Sequence, residues 1–285
     1  MTILLVVILN KNRAIDMKRV NLMYFSPTAT TKKIVDAIGN RLVEKSDIEQ
    51  GSTVDFTLPK QRENGVTFIS DDILLIGVPV YSGRVPNILL SYLNNIKGNN
   101  TLAIPIVLYG NREYEDALLE LSDILIENGF NVIAGGAFIG EHSFSNILAK
   151  ERPDKTDLSI ANQFADSVYT KIENDTFNTL KIKGNRPYRA YTKPKVDEDK
   201  EENRVKIEPK TDENCTDCKI CAEVCPVGCI DYNEVTRITG TCIKCGACVK
   251  LCPTNSKYFD NPDYIKLKLT LEELYIERKE PELFV

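Results

Sequence analysis

Over roughly the first 175 positions, short apolar runs alternate with stretches in which apolar residues recur at helical spacing. The strand-like runs lie at 20–25, 53–57, 72–80, 101–109 and 131–139, and the helical stretches near 30–44, 86–94, 114–128 and 157–173. Strands alternating with helices predict an α/β fold with a parallel sheet covered on both faces. Five strands joined this way fit the doubly wound order 2-1-3-4-5, in which a ligand sits outside the carboxyl ends of the strands. This domain is expected to occupy residues 17–175.

Beyond residue 212 cysteines replace the hydrophobic pattern as the organising signal. Cys215, Cys218, Cys221 and Cys225 form C-x2-C-x2-C-x3-C-P, and Cys242, Cys245, Cys248 and Cys252 repeat it 27 residues later, each run closed by a proline, Pro226 or Pro253. A cubane cluster needs one thiolate per iron. Cysteines at i, i+3 and i+6 let one loop wrap three corners, and the fourth ligand must come from elsewhere. Proline after the last cysteine fixes φ and turns the chain away. Small residues such as Ala222, Gly246 and Ala247 leave room for backbone N–H groups beside the sulfides. The competing reading is a pair of four-cysteine zinc sites, which ordinarily use two separated C-x2-C pairs.

Residues 212–260 resemble the two-cluster bacterial ferredoxins. The resemblance implies two [4Fe–4S] clusters, one on Cys215, Cys218, Cys221 and Cys252, the other on Cys242, Cys245, Cys248 and Cys225. Cys229 stands outside the pattern and reads as a packed free thiol.

Candidate chemistry in the first domain falls at the ends of its strands. Ser26-Pro27-Thr28-Ala29-Thr30-Thr31 follows the first strand and opens the first helix, where hydroxyls and free N–H groups can cradle a phosphate. The third strand ends in Pro79-Val80-Tyr81-Ser82-Gly83. The chain has no tryptophan, so Tyr81 is the leading candidate to stack on a flat ring. The fourth strand runs into Tyr109-Gly110-Asn111-Arg112-Glu113-Tyr114. Backbone amides and Asn111 are suited there to the polar edge of a flavin, and Arg112 to negative charge, a solvated loop being the plainer alternative. His142, the only histidine, follows the fifth strand and is the one candidate for proton handling, although a lone histidine is commonly structural.

The loop at 26–31 resembles the flavodoxin phosphate loop S/T-x-T-G-x-T, with Ala29 where that family has glycine; a positive φ there would be strained. Together with 77–86, 109–114 and the cysteine repeat, it makes the chain from Met17 onward similar to the flavodoxin–ferredoxin fusion proteins of anaerobes. That resemblance implies FMN, a flavodoxin-like sheet and a small α+β ferredoxin domain. It also implies work as an electron carrier or as an oxidoreductase without a defined substrate.

Composition sets the remaining bounds. With 42% hydrophobic and 27% charged residues the chain is of ordinary globular make-up, and a net charge of −5 disfavours nonspecific nucleic-acid binding. Cysteines clustered with metal spacing point to a reducing, cytoplasmic setting. Residues 1–16 include an eight-residue apolar run, too short to span a bilayer, and read as an extension outside the fold. Residues 176–211 read as a charged linker. Lys181, Lys183, Arg186, Arg189, Lys193 and Lys195 precede an acidic run at 197–202, and the basic part could instead meet the anionic cluster domain. In the tail, 261–285, a helix is expected at 269–278, with an apolar end at 282–285 suited to docking.

The favoured function is single-electron transfer with redox partner proteins, coupled to FMN. The runner-up is a flavin-dependent reductase of a small molecule, and a redox or oxygen sensor is more remote. No nucleic-acid or membrane partner is expected. The absence of G-x-G-x-x-G disfavours direct use of NAD(P)H.

Overall fold

The computed structural model describes residues 17–191 and 206–285. The expected extension at 1–16, the acidic run at 197–202 and Lys193 and Lys195 lie outside the described residues.

Six strands of the first domain are β1 (Lys18–Tyr24), β2 (Ile48–Asp55), β3 (Asp72–Pro79), β4 (Leu102–Tyr109), β5 (Asn131–Val132) and β6 (Gly135–Ile139). They pair in parallel in the order β2-β1-β3-β4-β6, with β5 also on β4, so the expected fifth strand is present in two pieces on one neighbour. Seven of the eight residues of β3 and all of β4 are buried, which is why both read as unbroken apolar runs. Edge strand β2, mostly exposed, has little apolar pattern, and its first half escapes a reading by hydrophobicity.

Side chains alternate between two cores. Met23, Leu74, Ile76 and Val107 pack on one face with α3 (Ala117–Glu127). Leu22, Ile73, Leu75 and Ile106 pack on the other with α1 (Thr30–Val43) and α4 (Lys155–Glu173). The stretch expected as a helix at 86–94 is a 3-10 turn over Asn87–Leu89 followed by a short α2 (Leu90–Leu93).

The second domain repeats itself in its backbone. Its elements are β7 (Lys210–Thr211), α5 (Ile220–Glu223), α6 (Ala247–Lys250) and β8 (Lys257–Tyr258), with β7 and β8 antiparallel. Positive φ angles recur 27 positions apart, at Asp217 and Lys244 (55° and 57°), Lys219 and Gly246 (66° and 77°), and Gly228 and Asn255 (61° and 57°).

Two expectations need correction. The tail helix α7 spans Pro262–Leu274, not 269–278. Asn261 caps it, accepting from the N–H groups of Asp263 and Tyr264, with proline in the first turn, a start signal weightier than the apolar spacing. The basic segment is not a free linker over its described part, up to residue 191; it packs on the acidic side of α3. Asp116 accepts from the N–H groups of Asn185 (2.8 Å) and Arg189 (2.7 Å), and Asp123 holds Arg186 at 2.8 Å.

The end of the chain docks as expected, as β9 (Glu282–Phe284), which pairs antiparallel with β6, Leu283 opposite Gly136. The sheet is therefore parallel with one antiparallel edge strand. Among the described residues no helix is long and apolar enough to cross a membrane.

Candidate functional site

A cavity of about 420 Å³ opens at the carboxyl ends of the parallel strands. Thr28, Thr30 and Thr31 line one end; Pro79, Val80, Tyr81, Ser82 and Gly83 form a wall, with Tyr109, Gly110, Arg112 and His142 completing the floor. The second domain also lines it, through Ile243, Lys244 and Cys245, as do Leu267 and Leu271 of α7. The sequence marks Cys245 as a ligand and leaves unstated that its loop faces the first domain.

The phosphate-loop geometry matches the motif at its odd position. Ala29 sits at φ 64°, the left-handed conformation that glycine serves in the resembling loop. Ser26 Oγ accepts from the Lys32 N–H at 3.0 Å, and the Ser26 N–H donates to Thr57 Oγ1 at 2.9 Å. Ser26 and Ala29 thus shape the turn, and Thr28, Thr30 and Thr31 line the cavity.

Tyr81 lies in a two-residue turn, exchanging backbone hydrogen bonds with Arg84 while Ser82 and Gly83 take positive φ. Burial pushes its hydroxyl well above the ordinary tyrosine range, and nearby Cys245 and Cys242 add to the rise. Arg112 lines the cavity and is paired to Glu115 at 2.9 Å; Glu115 also pairs with Arg189, which brings the docked basic segment to the cavity rim.

Asn111 and Tyr114 do not reach the cavity, and here the expectation is overturned. The Asn111 amide donates to the carbonyls of Tyr275 (2.6 Å) and Glu277 (2.7 Å) and accepts from the Lys279 N–H, and the fully buried Tyr114 donates to Glu282 at 2.7 Å. Both serve the C-terminal tail, whose path no local pattern announces.

His142 is held neutral: burial drives its pKa down to about 4, with Lys250 and Arg112 adding repulsion. Its Nδ1 accepts from the Phe144 N–H at 3.1 Å, so the neutral ring carries its proton on Nε2 and acts as a donor. Gly110 makes room for the ring, since a Cβ there would come within 2.4 Å of His142 Cδ2.

The cysteines carry the thiolate-directed donors that a cluster uses. Backbone N–H groups point at sulfur in matched pairs: Asp217 to Cys215 (3.4 Å) and Lys244 to Cys242 (3.3 Å), then Cys229 to Cys225 (3.3 Å) and Ser256 to Cys252 (3.2 Å). Cys221, Cys225, Cys245 and Cys248 are buried, whereas Cys218 is exposed.

Residues 214–256 match the family described as a 4Fe-4S dicluster domain. That stretch is similar to iron–sulfur dicluster domains and follows the parallel sheet of the order β2-β1-β3-β4-β6. Solved structures similar to the first domain include a flavodoxin from an archaeon (14% identity, 54% of this chain, 99% of that one, TM-score 0.38). Others are oxidised Flavodoxin 2 from Bacillus cereus (17%, 54% and 99%, TM-score 0.39) and a Fusobacterium nucleatum flavodoxin bound to flavin mononucleotide (18%, 57% and 100%, TM-score 0.36). No curated protein matches the chain.

The dicluster domain is fastened to the cavity through its second repeat. Lys250 donates to Glu141 (2.6 Å), Asn146 (2.9 Å) and the Ser145 carbonyl (2.5 Å). A Cβ on Gly246 would stand 2.6 Å from the Ser143 carbonyl oxygen, and the matching position of the first repeat holds Lys219. Only the second repeat can close this tightly against the loop after β6.

Proposed function

We propose that this chain is an electron-transfer protein that holds FMN in the cavity and two [4Fe–4S] clusters in the dicluster domain, and that it exchanges single electrons with partner proteins. FMN takes up two electrons and releases them singly, while each cluster carries one, so together they convert between two-electron and one-electron chemistry. Thr28, Thr30 and Thr31 would hold the phosphate and Tyr81 the ring, with the His142 Nε2–H as a fixed donor. Cys242, Cys245, Cys248 and Cys225 would hold the cluster beside the flavin, and Cys215, Cys218, Cys221 and Cys252 the outer one.

The observation that carries this reading is that Cys245 and Tyr81 line the same cavity. Exposed Cys218 suits delivery to a redox partner protein. A reductase of small molecules needs space over the flavin, and that space is bounded by residues 243–245 and α7, which favours the carrier. A reducing, cytoplasmic setting accords with both cofactors.

FMN released per polypeptide from anaerobically purified protein tests the proposal. A ratio near one supports it. A ratio near zero with iron fully loaded, and no uptake on titration with FMN, overturns the flavin half.

A further inference from the structure

Arg62 closes a 3-10 turn, Pro59–Arg62, in the connection between β2 and β3. One terminal nitrogen donates to the carbonyls of Phe56 (2.9 Å) and Thr57 (2.6 Å), the other to the carbonyl of Pro226 at 2.6 Å. Its guanidinium also lies 5.6 Å from the centre of the Phe25 ring. Half-buried, it is paired with no carboxylate among the described residues; burial weighs against its charge. A desolvated arginine without a counter-ion is costly unless an anion lies near.

Pro226 directly follows Cys225, the ligand that the first repeat lends to the cluster of the second. The fork of Arg62 therefore spans both domains, fixing the Cys225–Pro226 backbone to the first domain. Four thiolates make a [4Fe–4S] cluster anionic, and net charge is one of the determinants of its potential. Reduction adds negative charge, so an uncompensated cation favours the reduced form.

We infer that Arg62 is a positioning residue for the flavin-side cluster, the one on Cys225, Cys242, Cys245 and Cys248. It anchors that cluster to the first domain and raises its reduction potential relative to the outer cluster. This rests on the cluster reading above and supplies an asymmetry that the cysteine repeat, being symmetric, lacks.

The test uses anaerobically purified full-length protein as wild type, Arg62→Gln and Arg62→Lys. Each is titrated electrochemically with the cluster spectra followed by EPR, and the outer cluster is assigned through Cys218→Ser. Arg62→Gln is expected to lower the reduced-to-oxidised ratio of the flavin-side cluster roughly tenfold at fixed potential, about 59 mV for one electron, with the outer cluster unmoved. Hydrogen exchange over 225–230 is expected to speed up. Arg62→Lys keeps the charge and loses the fork, so it is expected to restore the potential but not the protection. Both clusters unmoved in Arg62→Gln, or both moved alike, overturns the inference. Failure of the cluster reading looks different, because wild type itself then shows fewer than two cluster signals. The anchor is then decided by exchange over 225–230, and unchanged protection overturns it.

Discussion

Cys229 and Ser256 occupy equivalent places in the two repeats: each backbone N–H donates to the sulfur of the cysteine four residues earlier, Cys225 at 3.3 Å and Cys252 at 3.2 Å. Cys229 Sγ also lies 3.6 Å from Cys225 Sγ. A site that accepts serine in one copy has no need of a thiol in the other. Cys229→Ser is expected to keep wild-type iron content and both cluster spectra. Loss of about half the iron would assign Cys229 to the ligand set.

Ala29 holds a left-handed conformation at φ 64°. For an L-residue that costs about 1–2 kcal/mol, against about 0.4–1 kcal/mol that glycine returns through the unfolded chain. Ala29→Gly is expected to stabilise the fold by about 0.5–1 kcal/mol, read as a higher denaturation midpoint with an unchanged m-value.

Arg84 and Glu120 form a buried two-pronged pair, at 2.7 and 2.6 Å, and the Val85 N–H also donates to Glu120. The guanidinium lies between the rings of Tyr188 and Tyr191, at 4.9 and 4.3 Å. Glu120→Ala leaves the arginine uncompensated and is expected to cost about 3–5 kcal/mol. It is also expected to loosen the segment at 180–191, seen as faster limited proteolysis there.

His142 titrates at about 4 in the folded protein and near 6.5 when unfolded. The unfolded chain therefore takes the proton first as pH falls, and stability declines from about pH 6.5 toward 4. Between pH 7.5 and 5 the loss is expected to be about 2 kcal/mol, and His142→Gln is expected to flatten it. The same depression means that no step dependent on His142 should show an inflection between pH 6 and 8.

The strands and helices of the first domain and the two cysteine runs are legible in the chain because their signals are local. Period-two and period-3.6 patterns, a Ser/Thr-rich helix start and an i, i+3, i+6 cysteine run need no distant neighbour to be recognised. Long-range packing decided the rest. Asn111 and Tyr114 sit in a loop that looks made for a flavin, yet the tail takes their hydrogen bonds from more than 160 positions away. The basic segment found its counter-charges in and just before α3, Asp123 for Arg186 and Glu115 for Arg189, which its own composition could not indicate. Two cysteine repeats of the same spacing leave open which of them lines the cavity. The tertiary structure brings the second one there, with Gly246 close against Ser143 and Cys245 on the cavity wall, while the first meets the first domain elsewhere, at Pro226.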